Sequence, residues 1–184
     1  MYPVFLNLTG RRVVVVGGGP VAVSKMQGLL REGAHITVVA PDVQPEIETA
    51  GVEVRRRPFE DADLDDAWWV VAAAPPDVNR QVREAAERRR VYVNAVDDPR
   101  HATAYLGGVV RRAGMTVAIS TDGRAPALAG LMREAIDAWL PTDLERWMVA
   151  ADEAREQWKR DGVPMNHRRP QLLETLNRLY DRDS

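Results

Sequence analysis

The sequence predicts an α/β protein built on a doubly wound parallel sheet, followed by a small β-hairpin region and a C-terminal helical region. Three observations carry this expectation. A β-branched run over residues 12–16 stops at Gly17-Gly18-Gly19, as a buried parallel strand does on entering a tight turn. Strand-like runs then alternate with helical patterns up to about residue 98, which is the grammar of a parallel sheet. Beyond that point two strand-like runs flank Ala113-Gly114, and amphipathic, charge-laced segments follow. The expected divisions are a sheet domain over 1–98, a hairpin and helix region over 99–140 and a helical region over 141–184.

Taken in order, residues 12–16 form the first strand. Residues 21–31 set Val21, Met26, Leu29 and Leu30 at largely helical spacing, and Gly33 supplies the stop. Residues 35–40, 52–56 and 68–74 read as strands two to four, the last closed by Pro75 and Pro76. Asp77 is the expected N-cap of a helix running to about Arg89, after which 91–93 resumes as a fifth strand. The hairpin is expected over 104–112 and 115–120, and a helix over 126–140. A further helix starts at Pro141 and runs to about Arg160, Gly162-Val163-Pro164 breaks the chain, and a final helix covers 170–180.

Composition narrows the function classes. The chain has 184 residues, 45% of them hydrophobic and 28% charged, enough for a packed domain with an appendage. A formal net charge of -2 gives no global pull toward nucleic acid or anionic membranes, so an acidic ligand must be met locally. With no cysteine, disulfides, thiolate nucleophiles and cysteine-based metal sites are excluded. The richest apolar run, 67–74, is too short to span a bilayer. The expected location is the cytoplasm.

The strand, the pattern G-x-G-x-x-A at Gly17, Gly19 and Ala22, and the following helix coincide. Together they define a Rossmann-type dinucleotide loop. The first glycine allows the tight turn, the second lets backbone amides approach a pyrophosphate at the helix N-terminus, and Ala22 keeps the helix close to the strand. Pro20 suits the first helical position, where its missing amide proton would lack a partner anyway. An acid at the end of strand two normally holds the adenosine ribose, and here the stretch reads Val39-Ala40-Pro41-Asp42. Asp42 either holds the ribose or starts an exposed turn. No arginine adjoins it in sequence to receive a 2′-phosphate, which favours NAD over NADP.

The opening Tyr2-Pro3-Val4-Phe5-Leu6-Asn7-Leu8, the glycine loop, Asn94-Ala95-Val96-Asp97-Asp98-Pro99 and Ser120-Thr121-Asp122-Gly123-Arg124-Ala125-Pro126 occur in this order. Over roughly 2–140 the chain thereby resembles the siroheme synthase N-terminal domain family, whose members are precorrin-2 dehydrogenases, some of them also sirohydrochlorin ferrochelatases. The resemblance implies NAD as cofactor, hydride removal from precorrin-2 with loss of protons to give sirohydrochlorin, and, in some members, iron insertion. It also implies a homodimer in which the hairpin pairs between subunits. Asp97 falls on the family's aspartate and is implied as a general base or proton shuttle, and in chelating members in metal insertion, although Asp97 and Asp98 also suit an Asx-turn before Pro99. Asn94 either orients substrate or nicotinamide or caps the strand end. Pro20, Val21, Pro41 and Asp42 align with dinucleotide contacts, and Ala73 and Ala74 would line the same crevice. Ser120, Thr121 and Arg124 align with the substrate region.

The third motif departs from the family's S-[ST]-G-G-x-S-P, with Asp122 for a glycine and Ala125 for a serine. Asp122 adds negative charge beside a substrate rich in carboxylates unless Arg124 offsets it. The F-x-x-P near the start of the family's hairpin is also altered, Tyr105-Leu106-Gly107 standing there. Arg100, Arg111, Arg112, Arg124 and Arg133 are candidate cations for an acidic tetrapyrrole. Arg55-Arg56-Arg57 and Arg88-Arg89-Arg90 read as exposed element ends. His101, the one histidine near Asp97, either ligates a metal or, as a lone histidine in a turn usually does, forms polar surface, and the five tryptophans read as packing residues rather than a tetrapyrrole platform. The altered motif and charged tail keep a second reading open, a non-catalytic NAD- or tetrapyrrole-binding regulatory module. A nucleotide-gated regulatory domain of a transport system fits less well, since Ala40 stands where it needs an acid.

Overall fold

The computed structural model describes residues 2–95 and 102–181. They fall into two compact units, Met1–Leu106 and Gly107–Ser184.

In the first unit five parallel strands, β1 (Arg12–Val16), β2 (His35–Val39), β3 (Glu53–Arg55), β4 (Trp69–Ala72) and β5 (Tyr92–Ala95), lie in the order β3-β2-β1-β4-β5. Helices α1 (Pro20–Arg31), α2 (Pro45–Glu48) and α3 (Pro76–Arg89) connect them. The chain winds outward from β1 through β2 to β3, then returns to β1's other side for β4 and β5. The reversal opens a crevice between the carboxyl ends of β1 and β4. Alternate valines explain the uninterrupted apolar runs. Val14, Val16 and Val70 join Val82, Ala85 and Ala86 of α3 on one face, while Val13, Val15 and Val71 join Ala22 and Met26 of α1 and Ile47 of α2 on the other. Each fully buried valine contributes about 1.5–3 kcal/mol.

Several boundaries differ from expectation for local reasons. β4 starts at Trp69, because Trp68 stands half exposed with the Arg11 guanidinium 3.9 Å over its ring. Asp77 is not the cap of α3. Pro76 takes the first helical position behind Pro75, where a fixed φ is an advantage and the missing amide costs nothing. β5 runs on to Ala95.

In the second unit β6 (Gly108–Arg112) and β7 (Met115–Ile119) form the hairpin, with Ala113 (φ 48) and Gly114 (φ 81) at its turn. Residues 104–107 do not extend β6, because the Ala104 amide bonds the Val93 carbonyl in the first unit. Helices α4 (Pro126–Trp139), α5 (Leu144–Asp161) and α6 (Met165–Asp181) follow. Val110, Leu140 and Leu144 form the small core with Ile136 and Trp147. α6 begins five residues before Pro170, which sits inside it. Trp158 Nε1 donating to Gln171 Oε1 at 2.6 Å ties that turn to α5. Trp139 is 81% exposed and so is not a packing residue within the chain.

Between β3 and β4 the chain makes a 3-10 turn, Asp61–Leu64, around the fully buried Asp63. Arg57 grips its carboxylate at 2.8 and 2.5 Å, Arg55 at 2.8 Å and the Glu60 amide at 2.9 Å. Burial pushes the Asp63 carboxyl up, but these hydrogen bonds outweigh it and hold it down at about 2. Its stabilisation is therefore complete above the ordinary value of 3.8 and is lost as pH falls toward the folded value. Asp63→Asn should cost about 2 kcal/mol at pH 7. In urea unfolding, variant and wild type should differ by that amount above about pH 5 and converge as pH approaches 2.

Candidate functional site

Three loops meet at the carboxyl edge of the sheet. Gly17 has φ +124, and a Cβ on it would lie 2.2 Å from the Ala73 carbonyl oxygen. Its amide donates to the Val39 carbonyl at 3.0 Å, and the Ala73 amide donates to the Val16 carbonyl at 2.8 Å. A Cβ on Gly18 would lie 1.9 Å from the Asp42 carbonyl oxygen, and the Gly18 carbonyl accepts from the Gln44 amide at 2.9 Å. The glycine loop is thus wedged between the ends of β2 and β4, with Pro41 and Asp42 exposed on one side and Ala73 and Ala74 half-buried on the other.

Gly19 differs from its neighbours. A Cβ there would meet nothing within 4 Å, so its open side is a cradle for an approaching group. It is the N-cap of α1, no side chain caps the helix, and the first turn carries no acid. The first helical bond runs from the Val23 amide to the Gly19 carbonyl at 3.1 Å, which leaves the Val21 and Ala22 amides without helical acceptors. Pro20 occupies the first helical position and Ala22 is fully buried against β1. A twelve-residue helix with this end carries roughly half a positive charge there, fitting the pyrophosphate of a dinucleotide.

On the far side of the crevice, Asn79 Oδ1 accepts from the Ala74 amide at 3.0 Å. Asn79, which sequence reading passed over, fixes the β4 loop; its signal was an amide in the first turn of the helix after that loop. Asn94 is buried at the end of β5. Its Nδ2 donates to the Ala104 carbonyl at 3.1 Å, while Oδ1 is buried without a partner among the described residues. A buried acceptor left unpaired is costly, so a partner for Oδ1 is to be sought outside the described residues or in a ligand. The chain returning along β5 is secured by the Val93 amide donating to Thr103 Oγ1 at 2.8 Å and by the Thr103 and Ala104 amides donating to the Val93 carbonyl at 2.9 Å each. Asp97 lies outside the described residues, as do Arg100 and His101.

In the second unit Ser120, Thr121 and Arg124 line a shallow recess of about 480 Å³ together with Asp122, Ala125 and Leu128. Ser120 Oγ accepts from the Asp122 amide at 3.1 Å and Thr121 Oγ1 from the Ala125 amide at 3.2 Å. The recess opens at the start of α4, which has no side-chain cap and no acid in its first turn. Arg124 is exposed and makes no ion pair among the described residues. Arg112, by contrast, is held by Asp137 and the Leu140 carbonyl, and Arg133 by Glu134.

The sheet order, the switch-point crevice and the open helix end define a Rossmann-type dinucleotide-binding protein. A family model described as "Putative NAD(P)-binding" matches residues 4–108. The chain is 37% identical over 172 residues to a siroheme synthase of Aeromonas hydrophila subsp. hydrophila and 39% identical over 180 residues to one of Photorhabdus laumondii. These alignments cover 91% and 95% of the chain but only 37% and 38% of those relatives, so the chain spans a little over a third of their length. Among solved structures it is similar to SirC, a precorrin-2 dehydrogenase, with 30% identity and a TM-score of 0.77, covering 95% of this chain and 88% of that one. The chain belongs to the siroheme synthase N-terminal domain family.

The glycines separate structural from binding roles. Gly17→Ala, at a positive φ and against a backbone oxygen, should destabilise the protein by about 2–4 kcal/mol. Gly19→Ala faces open space and should cost less than about 1 kcal/mol, yet weaken NAD binding at least about tenfold, which corresponds to 1.4 kcal/mol. Urea unfolding and calorimetric titration with NAD read the two effects separately.

Proposed function

We propose that this chain is an NAD-dependent precorrin-2 dehydrogenase that produces sirohydrochlorin for siroheme synthesis. The observation that carries the reading is the crevice itself: an uncapped α1 N-terminus, an open Gly19 and a buried Asn94 carbonyl without a partner among the described residues, at one sheet edge. The TM-score of 0.77 to a precorrin-2 dehydrogenase supports it.

NAD, when bound, supplies the hydride acceptor for the ring oxidation. The backbone amides of Val21 and Ala22 would hold its pyrophosphate, Pro20 would shape the approach, and Asp42 would accept hydrogen bonds from the adenosine ribose hydroxyls. Ala73 and Ala74 would form a wall without polar side chains, and the Asn94 Oδ1 would accept a hydrogen bond from a donor on nicotinamide or substrate. Asp97 is the general base, its carboxylate taking a proton from the macrocycle as the hydride departs. Arg124, with the Ser120 and Thr121 hydroxyls at the uncapped start of α4, meets a substrate carboxylate.

The same reading includes a homodimer formed through the second unit. Leu128, Leu131, Met132 and Trp139 of α4 are exposed at helical spacing, an apolar stripe of the kind that a subunit covers. Leu131→Glu should convert the dimer to a monomer in light scattering without lowering NAD affinity in the first unit.

The activity test is incubation of the chain with enzymatically generated precorrin-2 and NAD, following sirohydrochlorin by absorbance before any metal is added. Formation of product that depends on NAD, and a fall of about 10²–10⁴ in kcat for Asp97→Ala with NAD affinity unchanged, is the expected result. A folded wild type that binds NAD and forms no product would point instead to the regulatory module.

A further inference from the structure

Arg55, Arg56 and Arg57 follow one another at the carboxyl end of β3. That strand pairs with β2, Val39 opposite Arg55, and the Ala40 amide donates to the Arg55 carbonyl at 3.2 Å. The three arginines therefore stand beside the strand end that leads into Pro41 and Asp42. On the dinucleotide reading, on which this inference rests, that is the adenosine side of the crevice. A guanidinium there would receive the 2′-phosphate that distinguishes NADP from NAD.

Each guanidinium has a carboxylate partner. Arg55 is held by Glu53 and Asp63, and Arg57 by Asp63 and Glu60. Both are committed to the buried Asp63 and cannot turn away without leaving it unpaired. Arg56 is different. It pairs with Glu48, the last residue of α2, and the two side chains are 52% and 48% exposed. An ion pair so exposed is weak and separable. Asp42 and Glu48 both lie on the connection between β2 and β3, and through Arg56 the Glu48 carboxylate is tied to the carboxyl end of β3, beside the strand end that leads into Asp42.

We propose that Glu48 is a cofactor-specificity residue: by occupying Arg56 and setting its own charge against a 2′-phosphate, it makes the site select NAD over NADP. Like charges repel the phosphate, and the one guanidinium of the three able to swing toward it must first give up its pair with Glu48. The residue touches no reacting atom and does not take part in hydride or proton transfer.

Calorimetric titration of the full chain with NAD and with NADP tests this without substrate. Wild type should bind NAD more tightly than NADP. Glu48→Gln should tighten NADP binding about tenfold while changing NAD binding less than about twofold, and adding Arg56→Ala to Glu48→Gln should abolish the gain. The improvement should shrink with added salt, as an exposed charge interaction does. An unchanged NADP affinity in Glu48→Gln, or a gain that survives Arg56→Ala, overturns the assignment while leaving the dinucleotide reading intact. A wild type that binds neither nucleotide overturns both.

Discussion

Backbone meets backbone at Gly17 and Gly18 with no room for a Cβ, and the site of the first unit depends on that contact. The loop after β1 is pressed on one side by the Ala73 carbonyl and on the other by the Asp42 carbonyl. Only glycine tolerates both approaches, and Gly17 additionally needs its positive φ. The consequence is positional. With the loop clamped between the ends of β2 and β4, α1 starts where its free amides face the crevice, and Asp42, Ala73 and Ala74 are fixed around it. Core packing supports this arrangement, since alternating valines of β1 anchor the strand to helices on both faces.

Electrostatics in the first unit divide into two kinds. The Arg55–Asp63–Arg57 cluster is structural, its carboxylate wholly buried and its cations saturated. The attraction for an anionic ligand comes instead from an uncapped helix end that carries no acid. A chain with a net charge of -2 can thus bind a pyrophosphate without a general excess of arginine. In the second unit the start of α4 likewise has no side-chain cap and no acid in its first turn, and Arg124 lies beside it.

Much of the fold was legible because its signals are local. The valine run of β1, the Gly33 stop of α1 and the Ala113-Gly114 turn each state their structure within a few residues, and the observed strand bounds of β1 are those expected. The ends of β4 and β6 were harder. Trp68 reads as strand but stacks with Arg11, and Ala104 reads as strand but bonds to Val93, partners that no window around either residue contains. Asp77 and Pro170 misled because proline fits the first turn of a helix, and sometimes its second, better than a rule of breakage allows. The glycine loop was read from its pattern, whereas Asn79, Asp63 and the Glu48–Arg56 pair emerged only once tertiary contacts were present. Arginines 55–57 look like a solvated strand end in sequence. In the fold two of them sustain a buried acid.

The most direct measurement is a crystal structure of the chain with NAD. The account predicts the pyrophosphate within hydrogen-bonding distance of the Val21 and Ala22 amides, the adenosine ribose at Asp42 and the nicotinamide beside Ala73, Ala74 and Asn94. NAD bound instead at the opposite edge of the sheet, in the recess lined by Arg12, His35, Thr37 and Glu53, would contradict it.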